Sequence, residues 1–230
     1  MYAKKLETVS LIDEGKVKRI RGLVTSAKVS PQLTTRVVDK LREIFNDYIP
    51  DVWIHTDHYK KGQCGDQPGY AISLTAETTT GVVLTKDFNF GNAKEFTLPE
   101  DLGERAALSM LDEIHSGGCI DSTNQSAGLL LMAVSEGDNI SALKLGRITS
   151  QSVAMLQHIK KFFNVQFKIE ECHDEVFDGS SSEDEGQAEE GEAEMLEGEQ
   201  TEPEEKPTFG SSFIYSCIGI GLQNFARKIE

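Results

Sequence analysis

The stretch KVKRIRGLV at Lys16–Val24, followed by SPQLTTRVVDKLREIFNDY at Ser30–Tyr48, decides the fold class, because it passes from a strand pattern to a helix pattern across one short connection. Lys16–Val24 is rich in β-branched residues with interleaved charges and reads as a strand. Ser30 then offers an N-cap, and Pro31 stands at the first helical position, where its missing N–H costs nothing. Leu33, Val37, Leu41, Ile44, Phe45 and Tyr48 recur at three and four residues, which puts them on one face of an amphipathic helix that Pro50 stops.

Working outward, Val52-Trp53-Ile54 begins a short strand before a polar loop, and the opening Met1–Ser10 is polar and unpatterned. Tyr70, Ile72, Leu74 and Ala76 alternate as a half-buried strand should, and the turn at Thr79-Thr80-Gly81 returns the chain through Val82-Val83-Leu84 as a hairpin. Thr97-x-x-Glu100 has the form of a capping box, opening a helix with Leu102, Ala106, Leu111 and Ile114 on its face and Gly117-Gly118 after its end. The first unit is therefore βαβββα. A second unit follows: a helix over Ser122–Ser135, buried on most sides; a strand over Ile140–Leu145; a helix over Ser150–Phe162 with Val153, Leu156 and Ile159 inward; an alternating strand through Val165, Phe167 and Ile169; and an apolar strand over Phe213–Leu222. Helices alternating with strand pairs argue for an α/β chain built of two-layer (α+β) sandwiches.

The formal net charge of −15 belongs to one segment. Asp174–Glu205 holds 15 acidic residues and no Lys or Arg; without it the chain has 23 acidic against 23 basic residues. Residues 174–207 are too poor in apolar side chains to offset ordering entropy, so a disordered acidic loop between two strands is expected. Within it Ser180, Ser181 and Ser182 each precede an acid by three residues, a pattern open both to an acid-directed kinase and to plain solvated low complexity. Cys64, Cys119, Cys172 and Cys217 are widely spaced without a CxxC pair, and no apolar run suggests a signal peptide or reaches the roughly 18–20 residues of a bilayer span. Such thiols read as reduced, as in cytosol or nucleus.

Few residues carry chemistry of their own. His55-x-x-His58 with Asp57 and Cys64 offers ligand types but no structural zinc spacing, with His55 at a strand end and the others on a loop; Cys172-His173 is weaker still, and no metal is assigned. Lys16, Lys18, Arg19 and Arg21 are the densest basic cluster and the candidates for RNA contact, although a strand alternates them between faces and no aromatic stacking partner is evident beside them in sequence. The competing reading is an edge strand guarded by charge. Lys60-Lys61 and Lys160-Lys161 are ordinary surface pairs. Gly219-Ile220-Gly221 opens no helix, so these glycines are expected to permit close backbone packing instead of cradling phosphate. No Ser or Cys sits in a strand-to-helix turn with a His partner.

Six stretches together resemble the RNA 3′-terminal phosphate cyclase family, specifically its cyclase-like branch in ribosome biogenesis: IDEGKVKRIRG (Ile12–Gly22), KVSPQLTTR (Lys28–Arg36), TAETTTG (Thr75–Gly81), LPEDLG (Leu98–Gly103), GGCIDSTNQ (Gly117–Gln125) and KFFNVQFKI (Lys161–Ile169). They occur in family order with family-like spacing. The resemblance implies part of a large domain of three α/β repeats carrying an inserted smaller α/β domain. Residues 1–22 would then close a preceding repeat, 23–114 form the insert and 115–230 the rest of the third repeat, with the first two repeats before Met1.

The resemblance also implies what the site lacks. The enzymes adenylate a His near the start of the last helix, and the matching position here is Gln151, whose carboxamide nitrogen has no usable lone pair; His158 lies two helical turns further on. An Ala-Asp-Gln run at the nucleotide pocket corresponds to Thr123-Asn124-Gln125, without the carboxylate. No cofactor is expected. The branch is nucleolar, binds a ribosome-assembly GTPase and serves small-subunit pre-rRNA processing, which implies nucleus and nucleolus, pre-rRNA and precursor particles as partners, with His158, Lys160 and Lys161 as partner-contact candidates. The rival readings are an RNA-processing enzyme (cyclase or pre-rRNA endonuclease) and an acidic chaperone for basic proteins.

Overall fold

The computed structural model describes residues 6–60, 62–90, 98–172 and 212–222. The first unit has the expected order: β2 (Val17–Ala27), α1 (Pro31–Asn46), β3 (Val52–Tyr59), β4 (Gly69–Thr78), β5 (Val83–Phe90) and α2 (Pro99–Ser116), preceded by a two-residue strand β1 (Ser10–Leu11). Its sheet runs β3-β2-β4-β5; β2 pairs parallel with β3 and antiparallel with β4, and β4–β5 is the hairpin. Alternation then sorts the side chains. Ile20, Val24, Ile54, Ile72, Leu74, Ala76 and Leu84 are buried beneath α1 and α2, meeting Val37, Val38, Leu41 and Phe45 of one helix and Leu102, Ala106, Ala107 and Met110 of the other. Each fully buried Leu, Ile or Phe contributes about 1.5–3 kcal/mol of transfer free energy. The helices approach closely because α2 presents Gly103, where a Cβ would press on the Val37 carbonyl.

The second unit contains α3 (Gln125–Val134), β6 (Ile140–Leu145), α4 (Ser150–Phe163), β7 (Lys168–Cys172) and β8 (Ser212–Ile218), with a sheet ordered β1-β6-β8-β7. Leu129 and Met132 of α3 and Ile159 of α4 pack with Leu143, Leu145, Tyr215 and Cys217 of the sheet. The α/β two-layer reading holds for both units. Gly219 lies against the Ser135 backbone so closely that a Cβ would overlap its carbonyl, as close packing requires. At Gly221 a Cβ would make only an ordinary contact with the Gly137 backbone nitrogen, and the glycine is used for its φ of +62°.

Several expectations are corrected. β2 is an interior strand, paired on both sides, not a charged edge. The strand at Val52 continues to Tyr59, so His55, Asp57 and His58 lie in it and not on a loop. This happens because β2 extends as far as Ala27 and supplies a hydrogen-bonding partner through that whole length. The helix at Pro99 takes Leu98 as N-cap with no side-chain cap bond; Thr97 lies outside the described residues, and Glu100 binds Arg36 of α1 instead of capping. α3 starts at Gln125 and not Ser122, because residues 121–124 form a turn held by Asp121. Ser10 and Leu11 pair with Ala142 and Leu143, giving structure to a segment read as unpatterned. Val153 is 41% exposed and not inward, the strand after α4 begins at Lys168 with Ile169 exposed, and the last strand stops at Ile218. The acidic residues 174–207 with Ser180, Ser181 and Ser182, as well as Lys61 and His173, lie outside the described residues.

Placing a methyl group on Gly219 forces the strand end away from Ser135. Gly219→Ala is therefore expected to destabilise the chain by about 1–3 kcal/mol, the range of core overpacking. Denaturant unfolding checks this; an unchanged midpoint would show that the packing there yields freely.

Candidate functional site

The expected nucleotide-pocket remnant sits where α3 begins, and the structure joins it to the start of α4. Gln125 is 2% exposed. Its Nε2 donates to the Arg147 carbonyl at 3.1 Å, and its Oε1 accepts from the Thr149 N–H at 3.2 Å and from Ser152 Oγ at 3.1 Å. Thr149 is the N-cap of α4, its Oγ1 accepting from the Ser152 N–H at 3.2 Å. A helix N-terminus leaves unpaired N–H groups that suit phosphate; here the chain's own carboxamide and hydroxyl take the Thr149 and Ser152 donors. Gln151 stands in that first turn and is exposed, as are Thr123 and Asn124.

The turn before α3 is tied to the first unit by two carboxylates with little access to water. Asp121 accepts from the Thr85 N–H and Oγ1 of β5 at 3.3 and 2.8 Å, and from the Asn124 N–H and Nδ2 at 2.9–3.1 Å. Glu113 of α2 accepts from Lys86 Nζ at 2.6 Å and from the N–H and Oγ of Ser122, while Lys86 also reaches Ser122 Oγ at 3.0 Å. Buried carboxylates are tolerated only when so partnered. Asn124 therefore serves as a donor that completes the Asp121 turn.

His158, Lys160 and Lys161 are exposed on α4. The rings of His158 and Phe162 are 6.5 Å apart in an edge arrangement, and the two lysines occupy the last turn, where cations suit the helix dipole. Of the basic cluster, Lys18 and Arg19 both bind Glu77, and Arg21 forms a bidentate pair with Asp51 at 2.9 Å. Hydrogen bonds from Lys18 and then Arg19 hold the Glu77 carboxyl below the usual range, and Arg21 does the same for Asp51. The His55, Asp57, His58 and Cys64 set is not brought together: alternation places His55 and His58 on opposite faces of β3, His58 Nδ1 pairs with Ser26 Oγ at 2.7 Å, and Cys64 Sγ lies 3.4 Å from the Lys60 carbonyl. Burial pushes the Cys119 and Cys217 thiols up to about 11, which makes them poor nucleophiles at neutral pH.

Comparison with known proteins places these features in a family. Residues 12–115 match the RNA 3′-terminal phosphate cyclase (RTC) insert domain. RNA 3′-terminal phosphate cyclase-like proteins of Bos taurus and Homo sapiens are each 38% identical over 230 residues, covering 99% of this chain and 53% of those proteins. The chain belongs to the RNA 3′-terminal phosphate cyclase-like family. The rRNA processing protein rcl1 of Schizosaccharomyces pombe is 38% identical over 170 residues, 73% of this chain and 46% of that protein. The chain spans about half the length of the curated relatives it matches. The matched insert region includes β2 to α2, and β2 itself runs unbroken across residue 22.

Sequence reading found Gln125 and Gln151 but missed Glu113, Asp121, Thr85 and Lys86, whose partners come from distant parts of the chain, and missed Trp53, which the structure sets beside Arg21. Only the odd–even alternation of Val52–Tyr59 offered a signal for the last.

Removing the Gln125 carboxamide strands the Arg147 carbonyl and the Thr149 N–H, so Gln125→Ala should lower stability by about 1–3 kcal/mol, read by chemical denaturation. For Glu77 the depressed folded pKa means its contribution is present at neutral pH and lost as pH falls through that value. NMR titration should show the Glu77 carboxyl rising toward the ordinary range in Lys18→Ala/Arg19→Ala; an unmoved titration would disprove the pairing.

Proposed function

We propose that this chain serves ribosomal RNA processing as a binding factor without performing RNA end cyclisation. The reading rests on the first turn of α4. A cyclase of the kind the family name describes needs an imidazole nitrogen to attack ATP. That turn exposes Ser150, Gln151 and Val153 and holds no imidazole; Gln151 is a carboxamide whose nitrogen lone pair is delocalised into its carbonyl. His158 stands seven residues later, about 10 Å along the helix at 1.5 Å per residue, with its ring against Phe162. Gln125 and Thr149 meanwhile take up N–H groups that an anionic phosphate would use.

The Schizosaccharomyces pombe relative, named as an rRNA processing protein, supports the biological setting. Within that setting the chain is proposed to act on small-subunit precursors in the nucleolus, engaging pre-rRNA and a ribosome-assembly GTPase. The exposed α4 surface at His158, Lys160 and Lys161 is the candidate GTPase contact.

Two measurements test this. Purified chain incubated with α-labelled ATP should acquire no covalent adenylate; label retained through denaturation would restore the cyclase reading. Affinity purification from cells should recover small-subunit precursors together with a large GTPase, and recovery of neither would remove the binding-factor reading.

A further inference from the structure

The first unit covers only one face of its sheet. α1 and α2 bury the face that carries Ile20, Val24, Ile54, Ile72 and Leu74; among the described residues no helix packs on the opposite face, which the Asp121 turn touches at Thr85 of the β5 edge. Strand register arranges that open face into rows. Arg21 of β2 stands beside Trp53 of β3 and Thr75 of β4, and Leu23 stands beside His55 and Ser73. Trp53 on the edge strand β3 is 60% exposed and Leu23 on the interior strand β2 is 43% exposed, two large apolar groups side by side on a pleated surface.

We propose that this open face is a single-stranded RNA platform, with Trp53 and His55 stacking two successive bases and the Lys18–Arg21 end of β2 carrying the phosphates. The proposal rests on the rRNA-processing reading and supplies it with a site. Trp53 and His55 are two residues apart on one strand, about 6.6 Å at 3.3 Å per residue, and sheet aromatics exposed in this way stack unpaired bases in RNA-binding sheets. The Arg21 guanidinium, held by both Asp51 oxygens, is a planar cation at the strand position paired with Trp53. Charge decides the orientation. At one end Lys18, Arg19 and Arg21 face two carboxylates, Glu77 and Asp51, with Lys18 and Arg19 sharing the first. Beyond His55 the face carries Asp57 of β3, and Asp87 of β5, bound to Ser73, lies at the far side of the His55–Leu23–Ser73 row. A phosphate backbone therefore runs over the Lys18–Arg21 end and is repelled from Asp57 and Asp87. A protein ligand would also accept an exposed Trp and Arg, but it has no need of that charge gradient beside a base-spaced aromatic pair.

Trp53 is the only tryptophan in the chain, so its emission reports the platform directly. The intact chain is titrated with 12-nucleotide oligouridylate and oligoadenylate, and the expected result is quenched emission with saturable, salt-sensitive binding. Trp53→Ala, its fold verified by circular dichroism, should bind about tenfold or more weakly by anisotropy of labelled oligonucleotide. Lys18→Ala/Arg19→Ala should flatten the salt dependence by about 0.7 for each phosphate no longer neutralised. Phe162→Ala, which removes an aromatic 75% exposed on α4, should bind as the parent does. Unquenched emission with no measurable affinity would overturn the platform and leave the face to a protein partner; so would a loss of binding in Phe162→Ala with Trp53→Ala unaffected. Recovery of precursor particles by Trp53→Ala that binds no isolated RNA would still uphold the platform, since association then runs through other surfaces. Failure to recover precursors with the parent chain, while Trp53 quenching persists, would sink the rRNA-processing reading alone.

Discussion

Two carboxylates, Glu113 and Asp121, hold the molecule's parts in their mutual arrangement. Both are almost entirely withdrawn from water, and a charge in that state must be fully paired or it unfolds its surroundings. Glu113 meets Lys86 and Ser122; Asp121 meets Thr85 and Asn124. Their partners come from β5, so the turn before α3 is fastened to the edge of the first sheet. Asp121 thereby takes up the Thr85 N–H on that edge strand. A third carboxylate, Glu14, extends the fastening by accepting from the Gly118 N–H and from Lys144 of β6.

From this junction the geometry of the candidate site follows. The Asp121 turn sets where α3 starts, the first residue of α3 is Gln125, and Gln125 reaches the N-terminus of α4. A side chain expected from its position to border a nucleotide thus acts as a bridge between two helices. The same arrangement leaves Gln151 facing solvent. The first unit meanwhile turns its second sheet face outward with Trp53, Arg21 and His55 in adjacent rows.

Family relationship and physical reading support each other at different scales. The insert-domain match spans β2 to α2, the same elements that form the β3-β2-β4-β5 sandwich. The first turn of α4 contains no histidine.

The order βαβββα, the amphipathic face of α1 with Val37, Leu41 and Phe45, and the β4–β5 hairpin were legible from the sequence, because each depends on spacing within a few residues of chain; close packing at Gly219 was expected because no helix follows it, but its partner Ser135 was not. The amide character of Gln125 and Gln151, which no fold can alter, was legible too. What the sequence could not disclose was decided by contacts between distant segments. Val52–Tyr59 is one long strand because β2 lies beside it; β2 is interior because β3 and β4 flank it; Thr85 and Asp121 meet across 36 residues; Arg21 finds its aromatic neighbour 32 positions away. Hydrogen-bond ladders and buried charge pairs draw their stability from partners that only the closed tertiary structure brings within reach.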